Sequence, residues 1–518
     1  MIKLMLKFIL VYLLVFPFQL IAQSPSVLFE DLQFNSEFEQ KQFHLVNQNE
    51  NPLFELLLAP DPQMTVAIAR EYREKYESIL SEISTKKYLN KSNDKKVKAL
   101  YKDVHEALLD KYELQNRFSS IFLDGNYNCV SATALYALIF DELSIPYNIK
   151  EKPTHVYLLA FPETDQLLVE STDPSGNFFN YNDRFKTAVV GQLKDAKLIS
   201  EDEYQSKTVD EIFNAFYYSD ENIDLKELAG IQYLNDALYK LEESKTKEAY
   251  QQLMKSYFLY PKENIASMLV FLNVQLLNEL KYSNKDAMDY LVQLSRLEGS
   301  GVTTENILAE FDHMTRLILT EKVDTLTYRK YYEEFLAKST NKELNKEISY
   351  LYNIRKGLAH YTLGEHETAI THTGKAYQIK PNNLEVNRAL IGMISSQLTS
   401  ESSNKKVVMQ LLKYETGYPN LANNVIFKSM LADAYLIEFG QSYDFGEVEQ
   451  AEKYRKLFEK IYTNDLNINH SNLGRAYSLA AVHFFKKGQK NKARELLGQG
   501  LEYSPGNYEL LTRKRMIR

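Results

Sequence analysis

A chain of 518 residues is too long for one compact core, so two or more domains are expected. Its 44% hydrophobic and 25% charged residues, with only 18 Gly and 13 Pro, exclude extended low-complexity disorder. A net charge of -8 with no Lys/Arg block excludes a nucleic-acid footprint.

Lys3 and Lys7 open the chain, and Phe8 to Leu20 is apolar apart from Pro17 and Gln19. Ile21, Ala22 and Gln23 follow, and polarity rises at once. Charge, apolar run, then small residue is the order of a secretory signal peptide, here 1–22 with cleavage near Ala22. The run is shorter than the ~20 residues that a membrane span needs, and no later stretch is apolar for long enough. The mature protein is therefore expected to be exported, periplasmic or secreted, with no integral membrane segment.

From Gln23 to Pro60 no periodicity dominates. Between Gln63 and Tyr112 apolar residues recur at helical spacing, broken by a polar turn at Asn90 to Asp94. Val97, Leu100, Tyr101, Val104, Ala107, Leu108 and Tyr112 form the stripe of the second helix. Asp124-Gly125-Asn126-Tyr127-Asn128 is a turn-rich loop that leads into Cys129. Val130, Ala134, Leu135, Leu138, Ile139 and Leu143 then return to helical spacing, and Ile145-Pro146 ends that helix. Short β-like runs follow at Tyr147 to Lys150, Val156 to Phe161 and Leu167 to Val169, with turns between them.

Cys129 is the chain's one cysteine, so intramolecular disulfides are excluded although export would permit them. A cysteine nucleophile needs a stabilised thiolate, a base and a group that orients the base. Cys129 starts a predicted helix, whose free N–H groups and dipole favour the anion. His155 heads a strand in Pro153-Thr154-His155-Val156-Tyr157, and acids close the next in Glu170-Ser171-Thr172-Asp173-Pro174.

That series, with Gly125-Asn126-Tyr127-Asn128-Cys129-Val130-Ser131-Ala132 before it, resembles the transglutaminase-like superfamily over about residues 95–180. The resemblance implies a papain-like triad, with Cys129 as nucleophile and His155 as general base and later acid. Glu170 takes the third place by its spacing from His155, and Asp173 is the alternative because it precedes a proline. The backbone N–H of Cys129 would contribute to an oxyanion hole; Asn126 and Asn128 are side-chain options there and equally turn formers. Val156-Tyr157 after the histidine and the absence of Trp depart from the cross-linking members, which speaks against protein cross-linking in particular.

From Asp224 onward the pattern is helical. One unit ends at Pro381, with small residues at Gly357, Gly364, Ala369 and Ala376. A second ends at Pro505, with Ala481, Gly488, Ala493 and Gly500 at the matching places and Phe484 and Leu497 at large ones. A third ends at Pro261, with Ala237, Ala249 and Ser256. These offsets resemble tetratricopeptide repeats, each a 34-residue helical pair; the stretches 265–345 and 385–470 look helical without fitting the template.

The expected fold is thus an α+β transglutaminase-like domain (23–223) followed by an all-α tetratricopeptide-like superhelical repeat domain (224–518). The expected function is acyl transfer from a peptide or amide through the thiol, by hydrolysis or transamidation, with the repeats holding a protein or peptide partner. The alternative is an inactive scaffold in which both modules bind protein. No cofactor is required. No metal site is expected either, because His360, His366 and His372 recur at six-residue intervals and miss a common helix face.

Overall fold

A computed structural model describes residues 27–152, 155–169, 186–187, 190–191, 193–194, 199–217, 221–297 and 300–517. The expected signal peptide, 1–22, lies outside them, as do Glu170 and Asp173.

Five helices open the described chain: α1 (Glu37–Asn47), α2 (Leu53–Leu58), α3 (Val66–Ser84), α4 (Asn93–Leu108) and α5 (Phe118–Leu123). The stripe expected on α4 is the one that packs, with Val97, Leu100, Val104 and Leu108 buried. Two short parallel strands, β1 (Lys111–Tyr112) and β2 (Asn126–Tyr127), lead into α6 (Cys129–Glu142). Every residue of α6 from Cys129 to Phe140 is buried. A helix apolar on all sides belongs at the centre of a core rather than on its surface.

The remaining strands are β3 (Tyr147–Lys152), β4 (His155–Ala160), β5 (Leu167–Val169) and β6 (Glu221–Ile223), ordered β5-β4-β3-β6 and antiparallel throughout. Their burial alternates as the pleat requires: Val156, Leu158 and Ala160 are buried, His155, Tyr157 and Leu159 half-buried. Two short helices, α7 (Glu201–Ser206) and α8 (Val209–Tyr217), precede β6.

Everything beyond is helical: α9 (Leu225–Glu242), α10 (Thr246–Leu259), α11 (Glu263–Leu280), α12 (Asp286–Arg296) and α13 (Thr304–Thr315), then a π-helical turn, Arg316–Glu321. There follow α14 (Thr325–Lys338), α15 (Lys342–Thr362), α16 (His366–Ile379), α17 (Leu384–Thr399) and α18 (Asn404–Gly417). The last are α19 (Val425–Asp444), α20 (Val448–Ile461), α21 (His470–Lys486), α22 (Lys490–Tyr503) and α23 (Tyr508–Met516). The chain divides into two compact units, one ending at Ile307 and the other beginning at Leu308.

These elements correct the expected fold class. Among the described residues helix makes up about 73% and strand only a few per cent, so an α+β transglutaminase-like domain is not what these residues build. The β-like runs do form strands, but each has six residues or fewer, and the sheet is a small addition to a helical body. Strand-forming side chains over 147–169 fix local conformation; what the unit becomes is decided by the helices that bury its core.

Candidate functional site

Two regions bear on function: the surroundings of Cys129 in the first unit, and the helical hairpins.

Cys129 is the first residue of α6 and is 2% exposed. Asn128 caps the helix: its side-chain oxygen accepts from the Ser131 N–H at 2.9 Å, and the Ser131 hydroxyl accepts from the Asn128 N–H at 2.9 Å. This reciprocal box consumes the Ser131 N–H, one of the first-turn donors that would otherwise be free for an anion. The Asn128 amide also donates to the carbonyls of Leu114 (3.2 Å) and Asn116 (3.1 Å), and the Asn126 amide donates to Asp124 (3.0 Å). Both N–H groups of the Asn128 amide are thus spent on building the turn, while the Asn126 amide gives one of its two to Asp124.

His155 begins β4 on its half-buried face, where its ring lies nearly parallel to that of Tyr157, centroids 6.0 Å apart. The Thr133 hydroxyl, one turn into α6, donates to the carbonyl of Val156 at 3.2 Å. That bond ties the start of the cysteine-bearing helix to the start of the histidine-bearing strand. The two elements are therefore neighbours, as the sequence order requires. Glu170 and Asp173 fall outside the described residues.

The hairpins share a turn in atomic detail. In α9–α10, α15–α16, α19–α20 and α21–α22 the first helix ends on a residue of positive φ: Ser244 (61°), Gly364 (77°), Gly446 (79°) and Gly488 (77°). The N–H of that residue bonds back to Leu241, Tyr361, Tyr443 or Phe485. The next N–H reaches the carbonyl of Lys240, His360, Ser442 or Phe484, closing a Schellman motif each time. A fully buried alanine then sits at the same place in each second helix: Ala249, Ala369, Ala451 and Ala493. The methyl is small enough for the two helices to meet closely.

Three of these hairpins are the units that end at Pro261, Pro381 and Pro505. The fourth, α19–α20, leaves its second helix through Tyr462 without a proline, which is why the 34-residue template misses it. Gly446 and Ala451, spaced as Gly364 and Ala369 are, carried the signal. A second recurrent signal is the N-cap: Asn341, Asn383, Asn424, Asn469 and Asn507 start α15, α17, α19, α21 and α23, each accepting first-turn N–H bonds.

Just past these caps lie exposed large side chains. Leu384 is 71% exposed, Ile426 60% and Tyr508 83%. They hold nearly the same place in their helices, with His470 in the α21 position.

The first hairpin differs in what it packs against. The Gln232 side chain donates to the Leu57 carbonyl (2.9 Å) and accepts from the Phe118 N–H (2.7 Å). Tyr233 and Lys255 both donate to the Glu39 carboxylate, at 2.9 and 2.8 Å. Asp236 accepts from Arg117 (2.8 Å) and Gln252 (2.7 Å), and the Tyr239 hydroxyl donates to the Leu114 carbonyl (2.8 Å). Burial pushes the Lys255 ammonium below the usual lysine range, with Glu39 opposing that shift. Among the described residues no helix is long and apolar enough to cross a membrane.

No protein-family profile matches the sequence, and no curated protein matches it. Solved structures similar to it include one from a functional characterisation of Pseudomonas aeruginosa pilF, at 15% identity over 57% of this chain and 100% of that one, TM-score 0.19. A tetratricopeptide repeat protein from Parabacteroides merdae aligns at 12% identity over 56% of this chain and 98% of its own, TM-score 0.18. The APC/C hetero-tetramer Cut9-Hcn1 aligns at 10% identity over 94% and 97%, TM-score 0.19. Scores this low do not superpose the chains as whole bodies. The tetratricopeptide-like character of the hairpins stands on their shared turns, caps and buried alanines.

Proposed function

We propose that this protein is an exported interaction scaffold whose helical hairpins hold a protein or peptide partner. The observation that carries this reading is the recurrence of Leu384, Ile426 and Tyr508, large and exposed, at nearly equivalent places in three of the five asparagine-capped helices. Scattered surface hydrophobics need no explanation, but apolar groups repeated in step with the fold offer a partner regularly spaced anchors. Export is supported by Lys3, Lys7 and the apolar run that follows them, and predicts a mature N-terminus at Gln23 by mass spectrometry.

The test is site-specific photo-crosslinking in the native host. A photoreactive residue at Leu384, Ile426 or Tyr508 should trap one discrete partner, whereas the same residue at exposed Lys413 or Lys456 should not. Equal trapping at both sets of positions would remove this reading.

A second reading, favoured by the Thr133–Val156 bond, gives Cys129 thiol acyl-transfer chemistry. The thiolate would attack an amide carbonyl, His155 would protonate the departing amine, and Glu170 or Asp173 would orient the imidazole. Burial of Cys129 and the full commitment of the Asn128 amide weigh against it. Iodoacetamide alkylation across pH separates the two. A thiol reactive well below its ordinary range, and no longer so in His155→Ala, favours the enzyme; an inert thiol leaves the scaffold.

A further inference from the structure

The last turn of α6 carries Asp141 and Glu142 and no basic residue. The C-terminal end of a helix is its negative end, where cations are favoured and carboxylates are not. Because α6 is buried from Cys129 to Phe140, solvent screens its dipole only at this end, where both acids are exposed.

That end of the helix borders a cleft of about 540 Å³ in the first unit, a usual size for a ligand pocket. Four apolar side chains, Ile145, Ile149, Ile223 and Leu225, form its floor, each 7% exposed or less. Asp141, Tyr147 and Asp224 are among the residues around them. Lys226 is the one cation among the lining residues, against two carboxylates.

Tyr147 fixes the Asp141 carboxylate. Its ring packs edge-on against Phe140, centroids 6.0 Å apart, and its hydroxyl is hydrogen-bonded to Asp141, with Asp224 also near enough to act on it. Burial first, then those two carboxylates, push the phenol above its ordinary range, so it stays protonated and keeps donating. Asp224 caps α9, with one carboxylate oxygen accepting the Glu227 N–H at 2.7 Å. A carboxylate has about four lone-pair sites, so both keep acceptor capacity after these bonds.

An apolar floor beside a carboxylate at a negative helix end is complementary to a ligand with an aliphatic stem and a cationic head. A guanidinium suits it better than an ammonium. It is planar, weakly hydrated and presents its donors as a fork that matches a carboxylate.

We propose that this cleft binds an arginine side chain from a peptide partner, its stem on the isoleucine floor and its guanidinium against Asp141. Asp224 adds to the attraction and Lys226 opposes it. The site lies in the first unit and does not rest on the exposed anchors at Leu384, Ile426 and Tyr508.

The experiment is methyl-detected NMR of the isoleucine-labelled chain from Gln23, titrated with N-acetyl-arginine methylamide. The Ile145, Ile149 and Ile223 methyls should shift together and saturably, while those of Ile391 and Ile394 in the second unit should not. The citrulline analogue keeps the shape and loses the charge, and should bind at least about tenfold more weakly. Asp141→Asn should weaken the arginine probe by about tenfold as well. Asp224→Asn keeps the cap and should cost about two- to fivefold. Lys226→Ala should tighten binding by about two- to fivefold, a gain that misfolding does not produce. Equal binding of the citrulline analogue, stronger binding of the lysine analogue, binding unchanged in Asp141→Asn, or no saturable shift of the three methyls would each overturn the proposal.

Discussion

The hairpins α9–α10 and α15–α16 have the same turn, the same bonds closing it and the same buried alanine, yet they differ in what they meet. The first presents Gln232, Tyr233, Asp236, Tyr239 and Lys255 to the helices and loops of 27–123 through a buried network. The second, in its own unit, buries Ile354, Ile370 and Tyr377 in an apolar cluster with Val386 and Leu390. A hairpin's backbone is set locally by the left-handed turn residue and the small residue after it. Its faces are free to be polar or apolar according to the neighbour. The network also costs more to build, because each buried polar group needs its partner.

The largest effect should come from breaking that network. Lys255 and Glu39 are 1% and 0% exposed at their side chains, so Lys255→Ala leaves an uncompensated carboxylate. A loss of about 3–5 kcal/mol in the stability of the first unit is expected by denaturant unfolding. The double replacement Lys255→Met with Glu39→Leu should restore part of it, since no charge is then left unpaired, although the buried Tyr233 hydroxyl loses its acceptor. If the double variant is as unstable as the single one, specific charge pairing is not what joins the hairpin to 27–123.

Gly357 tests the second hairpin. A methyl there would lie 2.1 Å from Thr373 Oγ1 and 3.1 Å from the Ala369 carbonyl, although alanine is accommodated at the matching places, Ala237 and Ala481. Gly357→Ala should cost about 2–3 kcal/mol, and Gly357→Ala with Thr373→Ala should recover part of that in thermal unfolding. Recovery would show that the approach of α15 to α16 is set by Thr373 rather than by the repeat as such.

The turns allow a direct exchange. Ser244 holds at φ 61° the place that Gly364, Gly446 and Gly488 hold elsewhere. Ser244→Gly should stabilise its hairpin by about 1 kcal/mol and Gly488→Ser should destabilise its own by a similar amount, because an L side chain pays for the left-handed region. Opposite signs in calorimetry would show the four turns to be one device.

The smallest effect concerns pH. His372 is held at about 4 in the folded protein against 6.5 in its ordinary state. Between those values the unfolded chain binds a proton that the folded chain does not, so stability falls as pH drops from about 6.5 to about 4. For a half-buried ring the loss is about 1 kcal/mol after allowing for solvent screening. Unfolding across that range should show it, and His372→Gln should flatten that part of the curve.

Within this molecule the sequence by itself determined the local elements. The stripe Val97, Leu100, Val104 and Leu108, the strands at 147–169 and the hairpins ending at Pro261, Pro381 and Pro505 could all be read from periodicity, β-branching and turn residues. These signals survive because each acts on neighbours in the chain. Tertiary structure alone decided the rest. The strands joined a helical body because α6 is apolar on every side and draws helices around it. Of the two options for an oxyanion hole by position, Asn128 was claimed by Leu114 and Asn116, and Asn126 in part by Asp124. The α19–α20 hairpin lacked its closing proline, and only the spacing of Gly446 and Ala451, confirmed by its folded turn, marked it. His360 and His372 came together across a turn that no single-helix period describes. Burial, hydrogen-bond partners and distances between side chains are properties of chain segments meeting, and a linear pattern carries them only where the segments that meet are already adjacent.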